Sequence, residues 1–291
     1  MQSRWIRTPV LFRSRACFHL AAIGDLVLPG IRSWFIPSRF RSIAFVQANY
    51  DRERHAELAR FEASPPLLDT YVFGDHTDSD FVLLNGRTQY GPLSAARRHI
   101  ANVLLGHVTA HTAPGDTVVE FGCGNGRNLI HLKRMLPDRT YVGLELSPHS
   151  VELCRKAAEH YACPIRFEAH DVTKQLEIDL PRPRVCFSVH ALEQMPRGFE
   201  QAFRNMLATN PQSIIMLEPV HELYHWTVRG VLGSLRARVM DRLTGLPRFL
   251  QELPVTVARA EPLGFADNPL NETCVLIVST QSPSRQAPSR A

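Results

Sequence analysis

Val118-Val119-Glu120-Phe121-Gly122-Cys123-Gly124-Asn125-Gly126-Arg127-Asn128-Leu129 is the stretch that decides how this chain reads. An apolar, β-branched run ends in an acidic residue. Three alternate glycines follow, and then a segment with helical spacing of apolar residues (Leu129, Ile130, Leu132, Met135, Leu136). The pattern is that of a strand turning sharply into the N-terminus of a helix. Glycine permits positive φ and lets a ligand approach the backbone closely. A strand followed by a helix places such a ligand at the carboxyl end of a parallel strand.

The glycines read G-x-G-x-G, not the G-x-G-x-x-G of dinucleotide binders. The next apolar run, Tyr141-Val142-Gly143-Leu144-Glu145, also ends in a carboxylate, at the place where a ribose would be held. Glu-Phe-Gly-Cys-Gly-Asn-Gly followed by Gly-Leu-Glu-Leu-Ser resembles the first two motifs of the class I S-adenosylmethionine-dependent methyltransferases. Glu120 separates this resemblance from a nicotinamide enzyme: a carboxylate there repels a pyrophosphate and suits a cationic sulfonium amino acid.

The resemblance implies a role for each matching position. Gly122 and Gly124 would pass their backbone under the methionine part of S-adenosylmethionine, with Asn125 and Gly126 completing the loop. Glu120 would attract the amino group. Glu145, beside Leu146, would accept both ribose hydroxyls, as a carboxylate can. Asp171, in Ala169-His170-Asp171-Val172, would take the adenine amino group, and Val172 would offer its backbone N–H to the ring. Gln89 and Tyr90, in the segment ahead of the first sheet strand, are candidates to line the pocket, with a plain connecting loop as the alternative.

The loop after the fourth strand, Phe187-Ser188-Val189-His190-Ala191-Leu192-Glu193-Gln194-Met195, would face both cofactor and acceptor, Ser188 on the cofactor side. It lacks the Asn/Asp-Pro-Pro-aromatic motif of enzymes that methylate amino groups of DNA bases and protein glutamine. It resembles instead the enzymes of small molecules. His190 is the candidate general base, with the pKa range for that work near neutrality, and Glu193 its orienting partner. The alternative is a structural histidine holding the loop.

His221-Glu222-Leu223-Tyr224-His225 matches the H-E-x-x-H zinc signature, which needs both histidines on one helix face. The context opposes it: Val228 stands where a metzincin has glycine, and no later histidine completes a triad. His221 is therefore expected on the acceptor side as a catalytic or pocket residue, with no metal.

The chain has 291 residues, is 44% hydrophobic and carries a formal net charge of +5, enough for one full core. The six cysteines (17, 123, 154, 163, 186 and 274) include no C-x-x-C pair and read as free thiols of a reducing compartment, so a cytoplasmic protein is expected. Residues 1–46 hold seven arginines against Asp25. Their apolar run, Cys17 to Leu28, is too short and interrupted to span a bilayer. They read as a flexible leader, a transit-like segment, or a basic amphipathic piece touching membrane or nucleic acid.

The expected fold is α/β: a doubly wound, seven-stranded, Rossmann-like methyltransferase sheet with a C-terminal β-hairpin and a helical N-terminal cap. The expected divisions are a basic extension (1–46), a cap (47–92) that is irregular over 67–92, the methyltransferase domain (93–280) and a disordered tail (281–291). A mostly helical stretch is expected over 221–250, interrupted by Gly245 and Pro247. The expected activity is methylation of a small molecule, at oxygen before nitrogen or carbon, without DNA as partner and with a homodimer as one state. An RNA methyltransferase using the basic N-terminus and a non-catalytic cofactor-binding subunit are the rival readings.

Overall fold

The structure is a computed structural model and describes residues 43–195 and 198–280. The basic extension up to residue 42 and the 281–291 tail lie outside the described residues. Helix α1 (Ile43–Ala63) ends before Pro65-Pro66, and α2 (Leu68–Phe73) follows. Strands β1 (Ser79–Leu84) and β2 (Arg87–Pro92) form an antiparallel hairpin, and α3 (Leu93–His111) leads into the main sheet.

That sheet contains β3 (Thr117–Phe121), β4 (Thr140–Glu145), β5 (Arg166–Ala169), β6 (Val185–Val189), β7 (Ser213–Glu218), β8 (Thr256–Pro262) and β9 (Cys274–Ser279). Its order is β5-β4-β3-β6-β7-β9-β8. The pairs from β5 through β7 are parallel, and β9 is antiparallel to both β7 and β8. The chain leaves β3 toward β5 and returns to β6 on the other side. The topological switch point, where doubly wound sheets bind ligands, therefore lies at the carboxyl end of β3.

Helices α4 (Arg127–Met135), α5 (Pro148–His160), α6 (Phe199–Ala208), α7 (Val228–Val239) and α8 (Leu246–Gln251) complete the fold. Alternation along β3 divides the core: Val119 and Phe121 join Phe203, Phe249 and Leu276, while Val118 joins Leu104, Leu129 and Phe167. Ser147 caps α5, its hydroxyl accepting from the Ser150 N–H at 3.2 Å, with Pro148 in the first turn.

Two expectations need correction. The 67–92 segment is not irregular: it holds α2 and the β1–β2 hairpin. Asn85 (φ 51°) and Gly86 (φ 72°) make its two-residue turn, the left-handed pairing that tight hairpins require. The stretch 221–250 is broken at Gly245 as expected, and also at earlier positions that were not expected. A 3-10 turn covers His221–Leu223, extended backbone follows at Tyr224, and Asp241 (φ 50°) and Gly245 (φ 87°) separate α7 from α8.

Gly143, central in β4, leaves room for the glycine loop. A Cβ there would lie 2.7 Å from the Phe167 ring, 2.8 Å from Cys123 Sγ and 2.8 Å from Leu129. Gly143→Ala is expected to overpack this junction and cost about 1–3 kcal/mol, read as a lowered urea midpoint at unchanged m-value.

Candidate active site

The glycine loop hangs from the end of β4. The Gly122 and Cys123 N–H groups both donate to the Leu144 carbonyl, at 2.8 and 3.0 Å. The Gly124 N–H donates to Glu145 Oε2 at 2.8 Å, and Glu145 Oε1 accepts from the Ser147 N–H at 3.1 Å. Gly122 has φ 78° and Gly124 φ 59°. A side chain at Gly122 would also meet Ala191 Cβ at 2.6 Å. Gly126 (φ 75°) starts α4 with its Cα against Cys154 and Phe167. The sequence pattern thus becomes a loop that only glycine can follow.

Glu120 is fully buried at the end of β3. Asn128, in the first turn of α4, donates to its Oε1 at 2.7 Å, while Oε2 is buried without a hydrogen-bond partner. Burial pushes the Glu120 carboxyl well above the usual range; the Asn128 bond opposes this and the Glu145 charge adds to it. An orphaned buried carboxylate oxygen beside a glycine loop fits a cationic amino group. Glu145, whose pKa burial also raises, uses two of its acceptor positions on backbone N–H groups and keeps others for hydroxyl donors. These residues fit S-adenosylmethionine.

Asn125 is turned the other way. It donates to Glu57 Oε1 on α1 at 2.9 Å, its Oδ1 accepts from Arg127 Nε at 2.9 Å, and its carbonyl accepts from the Tyr71 hydroxyl. The Ser147 hydroxyl bonds Asp51 of α1. Leu146 is half-buried beside these contacts. Asp171 accepts from the Thr173 N–H (3.0 Å) and hydroxyl (2.6 Å), and Val172 is buried with its carbonyl bonded by Asn205 at 2.8 Å. Gln89 is exposed on β2, and Tyr90 meets Phe81 edge-on at 5.8 Å on the hairpin. That hairpin bonds the 264–266 turn through Leu83 and Gly86.

The acceptor side is a charge network. His190 has φ 51°, unusual for a residue with a side chain. Its Nδ1 lies 3.2 Å from Glu193 Oε1 and its Nε2 2.8 Å from Thr273 Oγ1. Arg242 donates to Glu193 Oε2 at 2.9 Å, and Asn271 donates to both Glu193 oxygens. Burial would lower the His190 pKa, but the bond and charge of Glu193 outweigh it, with Asp267 and Glu218 adding, and hold it at about 9. Burial would raise Glu193, yet the Arg242 charge and then His190 bring it down to about 2. Both His190 ring nitrogens are thus engaged, by Glu193 and by Thr273, in an environment that favours the protonated ring.

Sequence reasoning assigned no role to Glu218, Asn128, Arg242, Asn271 or Thr273. Buried at the end of β7, Glu218 accepts the N–H groups of Ala191 (3.0 Å), Leu192 (3.1 Å) and Glu193 (3.3 Å), so it fixes the loop that follows Ser188, itself fully buried. The carboxylate closing the β7 run and Asn128, inside the glycine stretch itself, were visible signals; Arg242, Asn271 and Thr273 come from segments distant from His190 and Glu193. The H-E-x-x-H stretch does not form the geometry its pattern needs. His221 is buried in a 3-10 turn with Nε2 3.2 Å from Thr244 Oγ1, while His225 is exposed beyond that turn.

Residues 118–209 match a family model described as a methyltransferase domain. The chain carries a class I S-adenosylmethionine-dependent methyltransferase domain. It is 26% identical over 133 residues to the phthiotriol/phenolphthiotriol dimycocerosates methyltransferase of Mycobacterium leprae (strain TN). That match takes in 44% of this chain and 48% of the relative, so the chain spans about half the length of the curated relative it matches. Among solved structures, magnesium protoporphyrin IX methyltransferase from Synechocystis PCC 6803 with bound S-adenosylmethionine superposes with TM-score 0.50 at 12% identity, covering 78% of this chain and 97% of that one. The cyclase SpnF superposes with TM-score 0.52 at 15% identity, covering 80% and 94%. At these identities the likeness is one of fold.

Two predictions follow from the methyltransferase cleft. Because burial raises the Glu120 pKa and leaves its Oε2 without a hydrogen-bond partner, a bound cation favours the ionised carboxylate, so affinity for S-adenosylmethionine is expected to rise with pH; Glu120→Gln should bind at least tenfold more weakly with that pH dependence flattened, read by calorimetry across pH 6–8.5. For the His190–Glu193 pair the sign is set by both shifts. The Glu193 contribution to stability is complete above its ordinary pKa of 4.5 and lost as pH falls toward about 2. The His190 contribution is complete below 6.5 and lost as pH rises through about 9. The melting temperature of wild type is expected to decline more between those alkaline limits than that of His190→Gln, by an amount worth about 1–3 kcal/mol.

Proposed function

We propose that the chain transfers the methyl group of S-adenosylmethionine to a small-molecule acceptor, at oxygen. The observation that carries the reading is the Glu120 carboxylate, buried with one oxygen unpaired beside a glycine loop bonded to Glu145. The cofactor's sulfonium supplies the activated methyl. The protein's part is to hold donor and acceptor in line and exclude water. Gly122 and Gly124 give the donor a close backbone surface, Glu120 and Glu145 fix its two ends, and Asp171 with Val172 border the adenine.

The acceptor half refines the reading. With both His190 ring nitrogens engaged, by Glu193 and Thr273, the loop after β6 offers no free imidazole base. This favours an acceptor hydroxyl acidic enough to ionise on its own, such as a phenol, enol or carboxylic acid, over an aliphatic alcohol. Support for a small organic acceptor comes from the named substrates of the Mycobacterium leprae relative and from the absence, in 187–195, of the motif tied to base amino groups.

The test is calorimetry with S-adenosylmethionine on wild type, Glu145→Ala and Gly124→Asp, followed by labelled methyl transfer to a panel of phenols, carboxylic acids, long-chain alcohols and transfer RNA. Micromolar binding by wild type, weakened at least a hundredfold in both variants, is expected, with transfer to the acidic hydroxyls. Transfer to RNA alone would overturn the acceptor class; binding without any transfer would favour a non-catalytic subunit; no binding would remove the reading altogether.

A further inference from the structure

Helix α7 is built inside out. Its buried positions are Gly230, Gly233, Arg236 and Ala237, three of the four small, with Leu232 half-buried against Leu270. A Cβ at Gly233 would come within 3.0 Å of the Leu270 carbonyl and 3.1 Å of the Tyr224 ring, so the close packing needs glycine there. The outward face carries the aliphatic side chains. Val228, Val231 and Leu235 are 67%, 42% and 46% exposed, and Trp226, just ahead of the helix, is 97% exposed. Positions i, i+3 and i+7 share one helix face. An ordinary surface helix has the reverse arrangement, with its apolar stripe on the core. A contiguous apolar stripe turned to water marks a contact surface.

The chemistry around the stripe narrows the contact. Arg238 continues the same side of α7 and is exposed. Elsewhere in the chain, residues 1–42 add seven arginines against one acid, so all of the chain's net charge of +5 is accounted for by that segment. Exposed tryptophan and aliphatics on one helical face, with arginine at the border, suit the boundary between lipid headgroups and acyl chains. Basic segments suit anionic headgroups. A second copy of the chain fits less well, since three aliphatic side chains and one indole fall far short of the roughly 800 Å² per partner that stable interfaces bury. Among the described residues no helix is long and apolar enough to cross a membrane, so the contact is with a surface.

We infer that the Trp226–Leu235 face docks on an anionic lipid bilayer, with Trp226 at headgroup depth and Val228, Val231 and Leu235 at the acyl boundary. The inference does not depend on which acceptor is methylated. It is tested with the full-length protein, co-sedimented with vesicles of phosphatidylcholine alone and of phosphatidylcholine with phosphatidylglycerol. Binding to the anionic vesicles is expected, weakened about tenfold or more in V231E/L235E and severalfold in W226A. Both variants change exposed positions, so far-ultraviolet circular dichroism and melting temperature should match wild type. Equal vesicle binding by V231E/L235E would overturn the inference, because another part of the chain would then carry the contact. So would the absence of wild-type binding to either vesicle. A dimer in light scattering that V231E/L235E dissolves, without vesicle binding, would assign the face to a second copy instead.

Discussion

The glycine loop's attachment to β4 is the constraint on which the rest of the molecule depends. Leu144 offers one carbonyl to two consecutive N–H groups, and Glu145 takes a third from Gly124. These bonds close the turn from β3 into α4 over the neighbouring strand. They demand positive φ at Gly122, Gly124 and Gly126, and they demand space beneath, which Gly143 supplies. Cys123, Phe167 and Leu129 then fill that space to contact. Packing below the loop and ligand chemistry above it are thus fixed by the same few residues.

Burial then decides what the carboxylates can do. Glu120 and Glu145 sit at the ends of adjacent parallel strands, and each raises the cost of charging the other. Carboxylates placed this way favour a cationic ligand, since attraction is far stronger away from water. Glu218 completes the group from β7, but its position differs: three backbone N–H groups converge on it. It therefore shapes the loop that carries His190 and Glu193, while Glu120 keeps an oxygen free.

Much of this was legible in the sequence, and the limits of legibility are physical. The β3–α4 turn and the carboxylates at strand ends are local patterns, because a strand, its glycines and the next helix are contiguous. The doubly wound class followed from the alternation of strands and helices, while the strand order comes from the structure. The β1–β2 hairpin was missed because β1 reads Phe81-Val82-Leu83-Leu84, an unbroken apolar run without period-two alternation, although Asn85-Gly86 marked the turn. The interruption of 221–250 was underweighted because the apolar spacing along α7 is helical yet faces outward. The environment of His190 was not legible for a different reason. Its protonation is set by Glu193, and Glu193 by Arg242 and Asn271, 49 and 78 residues further along the chain. No local pattern encodes such a partnership.

The two halves of the cleft are consequently built on different principles. The donor half rests on backbone geometry and a carboxylate left short of partners, so its chemistry survives in a short motif. The acceptor half rests on a satisfied ion network that ties the loop after β6 to the α7–α8 connection through Arg242 and to the β8–β9 turn through Asn271 and Thr273. Removing one member leaves a buried charge without its counter-ion, which is costlier than never having had the pair. Such a network changes as a unit, and the segments it joins are the loops and helices outside the carboxyl edge of the sheet. The fold is shared by a methyltransferase and by the cyclase SpnF, so the sheet alone does not set the chemistry, and the segments outside its carboxyl edge are where this chain's own chemistry is decided.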